Sequence, residues 1–352
     1  MVALGIFGGV LYVVTDGDII NQARTAYSRF LLIGRQDELN TPYSNDASVI
    51  RIEIPIGTSS TGIAQTLANN SIITDVQLFV DYARSEGLDT QFEAGIYFLN
   101  QTQTIPEIAY ILTDSSKSYI PFRILEGARI EEVADLIESN PLFSFSGNDF
   151  LGWVYAGTPI PSDFATWAGI PSGASLEGFM VPDTYQLPPN ITAEGLRNML
   201  LDTFRERIGD NLRDDAARAG YTLHEMVTLA SIIEREAVHP DEYALISSVY
   251  RNRLDIDMLL QADPTVQYGI QGTRGSWWPN ITRADYRDVN SPYNTYLYGG
   301  LPPGPIASPS LAAVDAAIYP TECTYYYFRA RCDGSNYHNF ATTYEEHEQN
   351  AC

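Results

Sequence analysis

One local pattern occurs twice, and it limits the chain to folds built from short strand–turn–helix units. Ile52-Glu-Ile-Pro-Ile-Gly57 is followed by Ile63-Ala64 and Leu67, six, seven and ten residues beyond the glycine. Phe122-Arg-Ile-Leu-Glu-Gly127 is followed at the same offsets by Val133-Ala134 and Ile137. Apolar residues alternating before the glycine predict a strand, the glycine a turn, and the spacing after it one apolar face of a helix. A weaker relative lies between them, Gly95-Ile-Tyr-Phe98 and then Ile108-Ala109 with Leu112. A separate helix is expected over Asp75–Ser85. The pattern predicts an α+β fold.

At 352 residues the chain has room for two or three domains, and 45% hydrophobic against 18% charged residues describes a folded protein. Its 44 acidic residues outweigh 21 basic ones, a net charge of −23. A surface of that sign excludes nucleic acid as a partner, because phosphate binding needs a basic face. A neutral polymer, a sugar or a protein fits better, and the 23 tyrosines are compatible with sugar stacking. The uncharged apolar run Met1–Val14 is expected to be the later part of a membrane anchor, although a packed apolar helix or strand reads the same way. Polar residues 16–47 follow as a tether, helical around Ile19–Leu32. Cysteines occur only at 323, 332 and 352; in an oxidising compartment a Cys323–Cys332 bridge is expected. No Cys/His ligand spacing points to zinc, and no cofactor or metal is called for.

The second half begins after residues 141–174, a Gly-, Pro- and aromatic-rich connection with a short helix. Three helices are expected, over Ala193–Ile208, Thr222–His239 and Tyr243–Arg253. In the middle one, Leu223, Met226, Val227, Ala230, Ile233 and Ala237 share a broad apolar face, and Glu234 falls inside it. Glu225 and Glu236 fall on the opposite side. A carboxyl turned toward a core resists ionisation, which suits a general acid. A buried glutamate paired with an arginine gives the same pattern.

Four further stretches place polar residues between rigid turn-formers. They are LEGFMVPDTY (176–185), LQADPTVQYG (260–269), SPYNTY (291–296) running on to GLPPGPI (300–306), and Tyr337-His-Asn-Phe340 with Thr343-Tyr-Glu-Glu-His347. The second is expected to end a helix and begin an extended run. Such loops present fixed hydrogen-bonding surfaces.

With ASIIEREA (230–237), these motifs resemble, in order and spacing, the MltG (YceG-like) family of membrane-anchored endolytic murein transglycosylases. The resemblance covers roughly residues 50–350. It implies an N-terminal LysM-like subdomain (48–140) and a mixed α+β catalytic domain (175–352). It also implies a single-pass anchor in the bacterial inner membrane with the catalytic domain outside the cytoplasm. Peptidoglycan strands are the implied partner, with peptidoglycan synthases as neighbours. Carried over by motif, the catalytic glutamate falls on Glu234, the first acid of ASIIEREA. Glu177, Gln261, Asp263, Tyr293, Asn294, Tyr296, Glu346 and His347 are implied as cleft residues. The cysteines and Trp277-Trp278 stand outside the family pattern.

Each of the supporting residues has a plainer reading. Asp263 before Pro264 suits a turn or cap, Glu177 a cap, His347 a structural place among Glu345, Glu346 and Glu348, and Asn294 and Tyr296 a locked loop. The expected chemistry is cleavage of the bond between N-acetylmuramic acid and N-acetylglucosamine with a 1,6-anhydro product. A lysozyme-like hydrolase using Glu234 with Asp263 or Glu177, or a non-catalytic glycan-binding scaffold, are the alternatives.

Overall fold

A computed structural model describes residues 18–351, so the apolar run Met1–Val14 lies outside the described residues. Among the described residues no helix is long and apolar enough to cross a membrane. The chain divides into two compact units, the first up to Ile120 with Gln186–Asn190, the second Pro121–Tyr185 and Ile191 onward. The division falls ahead of the second strand–Gly–helix copy, which therefore belongs to the second unit rather than to a subdomain ending near residue 140.

The first unit contains α1 (Asp18–Leu31), α2 (Gln36–Leu39), β1 (Ile50–Ile54), α3 (Ser60–Asn69), α4 (Val76–Ser85), β2 (Gly95–Leu99) and α5 (Ile105–Ile111). Alternation in β1 buries Ile52 and Ile54 against the helices. Ser59 caps α3 by accepting from Gly62 N, and Asp75 caps α4 by accepting from Leu78 N. β1 and β2 pair antiparallel, Ile52 opposite Tyr97, over a core that includes Ile63, Leu67, Phe79 and Leu99. The expected tether is partly absorbed into this unit, because Leu32 and Leu39 are buried in the same core.

In the second unit β3 (Ile120–Ile124) leads through Gly127 to α6 (Ile130–Glu138). Its strand alternates, with Phe122 and Ile124 buried, and α6 buries Ile130, Val133, Ala134 and Ile137. The expected connection instead forms two helices, α7 (Gly147–Val154) and α8 (Ser162–Ala168), the first nucleated by a Ser146–Asp149 capping box. β4 (Asp183–Leu187) pairs with β3. There follow α9 (Ala193–Arg218, broken at Gly209), α10 (Leu223–Glu236), α11 (Tyr243–Asp255), α12 (Asp263–Gly269), α13 (Asp285–Asp288) and α14 (Leu311–Ile318). The hairpin β5 (Tyr327–Ala330) and β6 (His338–Ala341), and then α15 (Tyr344–Gln349), complete it. The expected extended run after Leu260 is thus a helix; Asp263-Pro264 opens α12, where proline's missing N–H costs nothing.

The expected Cys323–Cys332 bridge is not formed. Cys323 is a free thiol donating to Ser248 Oγ at 3.1 Å, while Cys332 is disulfide-bonded.

Candidate active site

Helix α10 begins with a full capping box. Thr222 Oγ1 accepts from Glu225 N, and Glu225 Oε2 accepts from Thr222 N at 2.7 Å. All six residues of the expected apolar face are buried, but so are His224, Leu229 and Ile232 on other sides. The helix is enclosed all round, so its last turn sends acids into the protein in more than one direction.

Glu234 points to a clamp. Its Oε2 accepts from Ser310 N at 2.9 Å and Ser310 Oγ at 2.6 Å, and Tyr243 donates to Oε1 at 3.4 Å. Ser310 is also the N-cap of α14, and Ser231 on the same helix accepts from Ile306 N at 3.0 Å. Glu234 and Ser231 together fasten the proline-rich loop to α10. Gly178 of LEGF makes room for the same loop: its φ is +84°, and a Cβ there would meet Pro305 Cβ at 2.4 Å.

Glu236 does not sit in solvent, as its expected face required. It lines a cavity of about 330 Å³ with Tyr250, Arg253, Gln261, Asp263, Tyr286, Tyr296, Phe328, Arg329 and His338. Tyr250, fully buried, donates to Glu236 Oε1 at 2.7 Å. Burial pushes the Glu236 carboxyl up to about 7, the Asp263 charge adds to the rise, and the Tyr250 hydrogen bond and Arg253 oppose it. This side chain carries a proton near neutrality and gives it up readily, the property a general acid that later acts as a base requires.

The rest of the cavity is rigidly built. Arg253 donates to Leu260 O and Tyr326 O, both at 2.6 Å. Asp263 accepts from Tyr296 OH at 2.6 Å and Tyr286 OH at 3.3 Å, and these two rings stack 4.1 Å apart. Gln261 is held at φ +49°, uncommon for a side-chain-bearing residue, by a bond from its N to Thr295 O. Beneath it, Thr265 and Thr295 hydroxyls share a buried 2.9 Å bond that locks the two motif loops together. His338 enters from β6, opposite Ala330, with Nδ1 2.8 Å from Glu242 Oε2.

Of the residues implied by motif, the structure brings Gln261, Asp263 and Tyr296 together here. The others lie outside this lining. Glu177 is fully buried, accepting from Ile130 N and Tyr268 OH, and burial with the Glu131 charge raises it to about 8. Tyr293 packs on Tyr268 at 4.7 Å. Asn294, also fully buried, donates to Val289 O and Tyr286 O and accepts from Tyr296 N, which makes it a loop lock. Glu346 closes the capping box of α15 with Thr343, and His347 packs beside Tyr327. Sequence reasoning missed Glu236, Tyr250, Arg253, Tyr286, Arg329 and His338. The signal for His338 was present in Tyr337-His-Asn-Phe340, and that for Glu236 in its place two residues beyond Glu234.

Residues 52–352 match the model of the YceG-like family. An endolytic murein transglycosylase of Bacillus subtilis is 29% identical over 322 residues, 88% of this chain and 86% of that protein. One from Streptococcus pneumoniae is 28% identical over 330 residues, 87% of this chain and 58% of that protein. A crystal structure of a YceG-like protein from Listeria monocytogenes aligns with a TM-score of 0.57 at 28% identity, covering 86% of this chain and 99% of that one. The chain belongs to the YceG-like family.

Proposed function

We propose that this protein is an endolytic lytic transglycosylase of the bacterial cell wall, with Glu236 rather than Glu234 as its acid. The carrying observation is the Glu236 carboxyl, raised to about 7, on the wall of a polar cavity that also holds Gln261, Asp263 and Tyr296. Protonated Glu236 donates to the glycosidic oxygen between N-acetylmuramic acid and N-acetylglucosamine as positive charge develops at C1. The resulting carboxylate takes the proton from the muramoyl C6 hydroxyl, whose oxygen bonds to C1 and closes the 1,6-anhydro ring. The proton returns to Glu236, and no water is consumed. Asp263, held by two tyrosine hydroxyls, contributes negative charge beside the developing cation, and Gln261 offers an amide to the sugar's polar groups. Glu234 acts as the clamp on the Ser310 loop.

Asp263 is a second carboxylate in the same cavity, so a hydrolase is the competing reading. Its engagement by Tyr286 and Tyr296 favours a fixed electrostatic role over activation of water. Mass spectrometry of products from purified murein separates the two: 1,6-anhydro ends are expected, and reducing ends carrying added water would overturn the transglycosylase reading. Cleavage within nascent strands limits their length, next to peptidoglycan synthases. The first unit serves as a LysM-like glycan-binding module, and a single-pass anchor in the inner membrane places both units outside the cytoplasm.

A further inference from the structure

A second cavity, of about 590 Å³, opens in the same unit and is not used by the chemistry above. Its wall includes Arg235, Trp277, Leu125, Leu136, Glu126 and Asp135. Arg235 is the residue immediately before the proposed acid, and it leaves α10 on another side. Its guanidinium carbon stands 3.8 Å from the centre of the Trp278 ring. Among the described residues it forms no hydrogen bond or ion pair, and its Nε is enclosed without a partner. Burial depresses its pKa while Glu132 and Glu234 sustain its charge from a distance. The result is a cation with unspent donors and an aromatic backing.

The surrounding wall is built to hold it there. Trp277 Nε1 donates to Asp135 Oδ2 at 2.8 Å, and Trp278 Nε1 to Glu132 Oε2 at 3.0 Å. Gly127, at φ +71°, lets the guanidinium approach; a Cβ there would meet Arg235 Nη1 at 3.0 Å. The Trp277-Trp278 segment is therefore part of a constructed wall. An aromatic-backed guanidinium selects a planar anion that accepts two N–H bonds, above all a carboxylate. Leu125 and Leu136, 53% and 40% exposed, offer an apolar floor. Of the three acids in the lining, Glu132 and Asp135 are engaged by the two indole N–H groups, which leaves Glu126 to accept from N–H donors of a ligand. A carboxylate, a small apolar group and N–H donors are together the end of a short peptide.

The geometry points to this cavity as a docking site for the free carboxyl end of a peptide carried by the glycan substrate, bound through Arg235. This rests on the murein reading above. Arg235 and Glu236 are consecutive on α10, with Cα atoms about 3.8 Å apart, so the two cavities are lined by neighbouring residues of the same helical turn. The test is titration calorimetry of the purified chain with acetyl-Lys-D-Ala-D-Ala and with its C-terminal amide. The acid is expected to bind at least about ten-fold more tightly than the amide, the worth of one charge-assisted pair. Arg235→Gln and, independently, Leu136→Glu at a half-exposed position are expected to erase that preference. Equal binding of acid and amide, no binding of either, or a preference retained in both variants overturns the inference. Cleavage of murein by the same preparation is measured in parallel. Its absence with peptide binding intact overturns the reading of the activity and leaves the docking site standing.

Discussion

Glu236→Gln should inactivate the protein and stabilise it, with a stabilisation that grows with pH. The unfolded chain holds this proton only below about 4.5, whereas the folded chain holds it up to about 7. Between those values folding takes up a proton, so wild-type stability is full below 4.5 and is lost as pH rises through 7. At 1.36 kcal/mol per pH unit, the loss is about 1 kcal/mol at pH 5.5 and about 3 kcal/mol at pH 8.5. A glutamine has no proton to lose, and its Oε1 still accepts from Tyr250, so the variant escapes this loss. Its advantage should therefore widen by about 2 kcal/mol between the two pH values, or about 4 °C in Tm for a unit of this size. Both values lie above the isoelectric point of about 4.4, where the chain stays charged and soluble. Scanning calorimetry of both proteins at pH 5.5 and 8.5 measures it. An advantage that is constant or shrinks with pH would refute the claim that Glu236 is held protonated by its surroundings.

Three further outcomes follow, two from the same cavity and one from the loop lock beside Tyr296. Tyr250→Phe removes the hydrogen bond that favours the Glu236 carboxylate, so the alkaline limb of the cleavage rate should move to higher pH. Asp263→Asn removes the charge that raises Glu236, so the same limb should move to lower pH, beside a loss of rate; pH–rate profiles check both directions. Asn294→Ala strips a fully buried side chain of its bonds to Val289, Tyr286 and Tyr296, and should lower stability by about 2–3 kcal/mol in urea denaturation.

Local periodicity carried the elements that depend on neighbours in sequence. The repeated strand–Gly–helix units and the apolar face of α10 are of this kind, and both are present. Glu346, implied as a cleft residue, instead closes a capping box whose signature, Thr343-x-x-Glu346, stands in the sequence. Which acid of ASIIEREA meets the cavity was not legible. Helical periodicity separates an inner from an outer face only where a helix has an outer face, and α10 is enclosed around Leu229 and Ile232 as well. His338 reaches the cavity through its pairing opposite Ala330, and Tyr250 and Arg253 through the packing of α11, relations that no local window contains. Gln261, Asp263 and Tyr296 were implied by the motif resemblance alone, and the structure ties their segments together through the hydroxyls of Thr265 and Thr295 from the same motifs.

The most direct test of the account is digestion of purified murein by Glu236→Gln and Glu234→Gln side by side, with 1,6-anhydro products quantified by mass spectrometry. General acid catalysis contributes roughly 10²–10⁴-fold, so Glu236→Gln should lose at least about a hundred-fold in product. Glu234→Gln, which weakens the charge-assisted clamp on Ser310, should lose about 1.5–3 kcal/mol of stability yet still form anhydro ends. Anhydro ends from Glu236→Gln at the wild-type rate, with none from a folded Glu234→Gln, would contradict it.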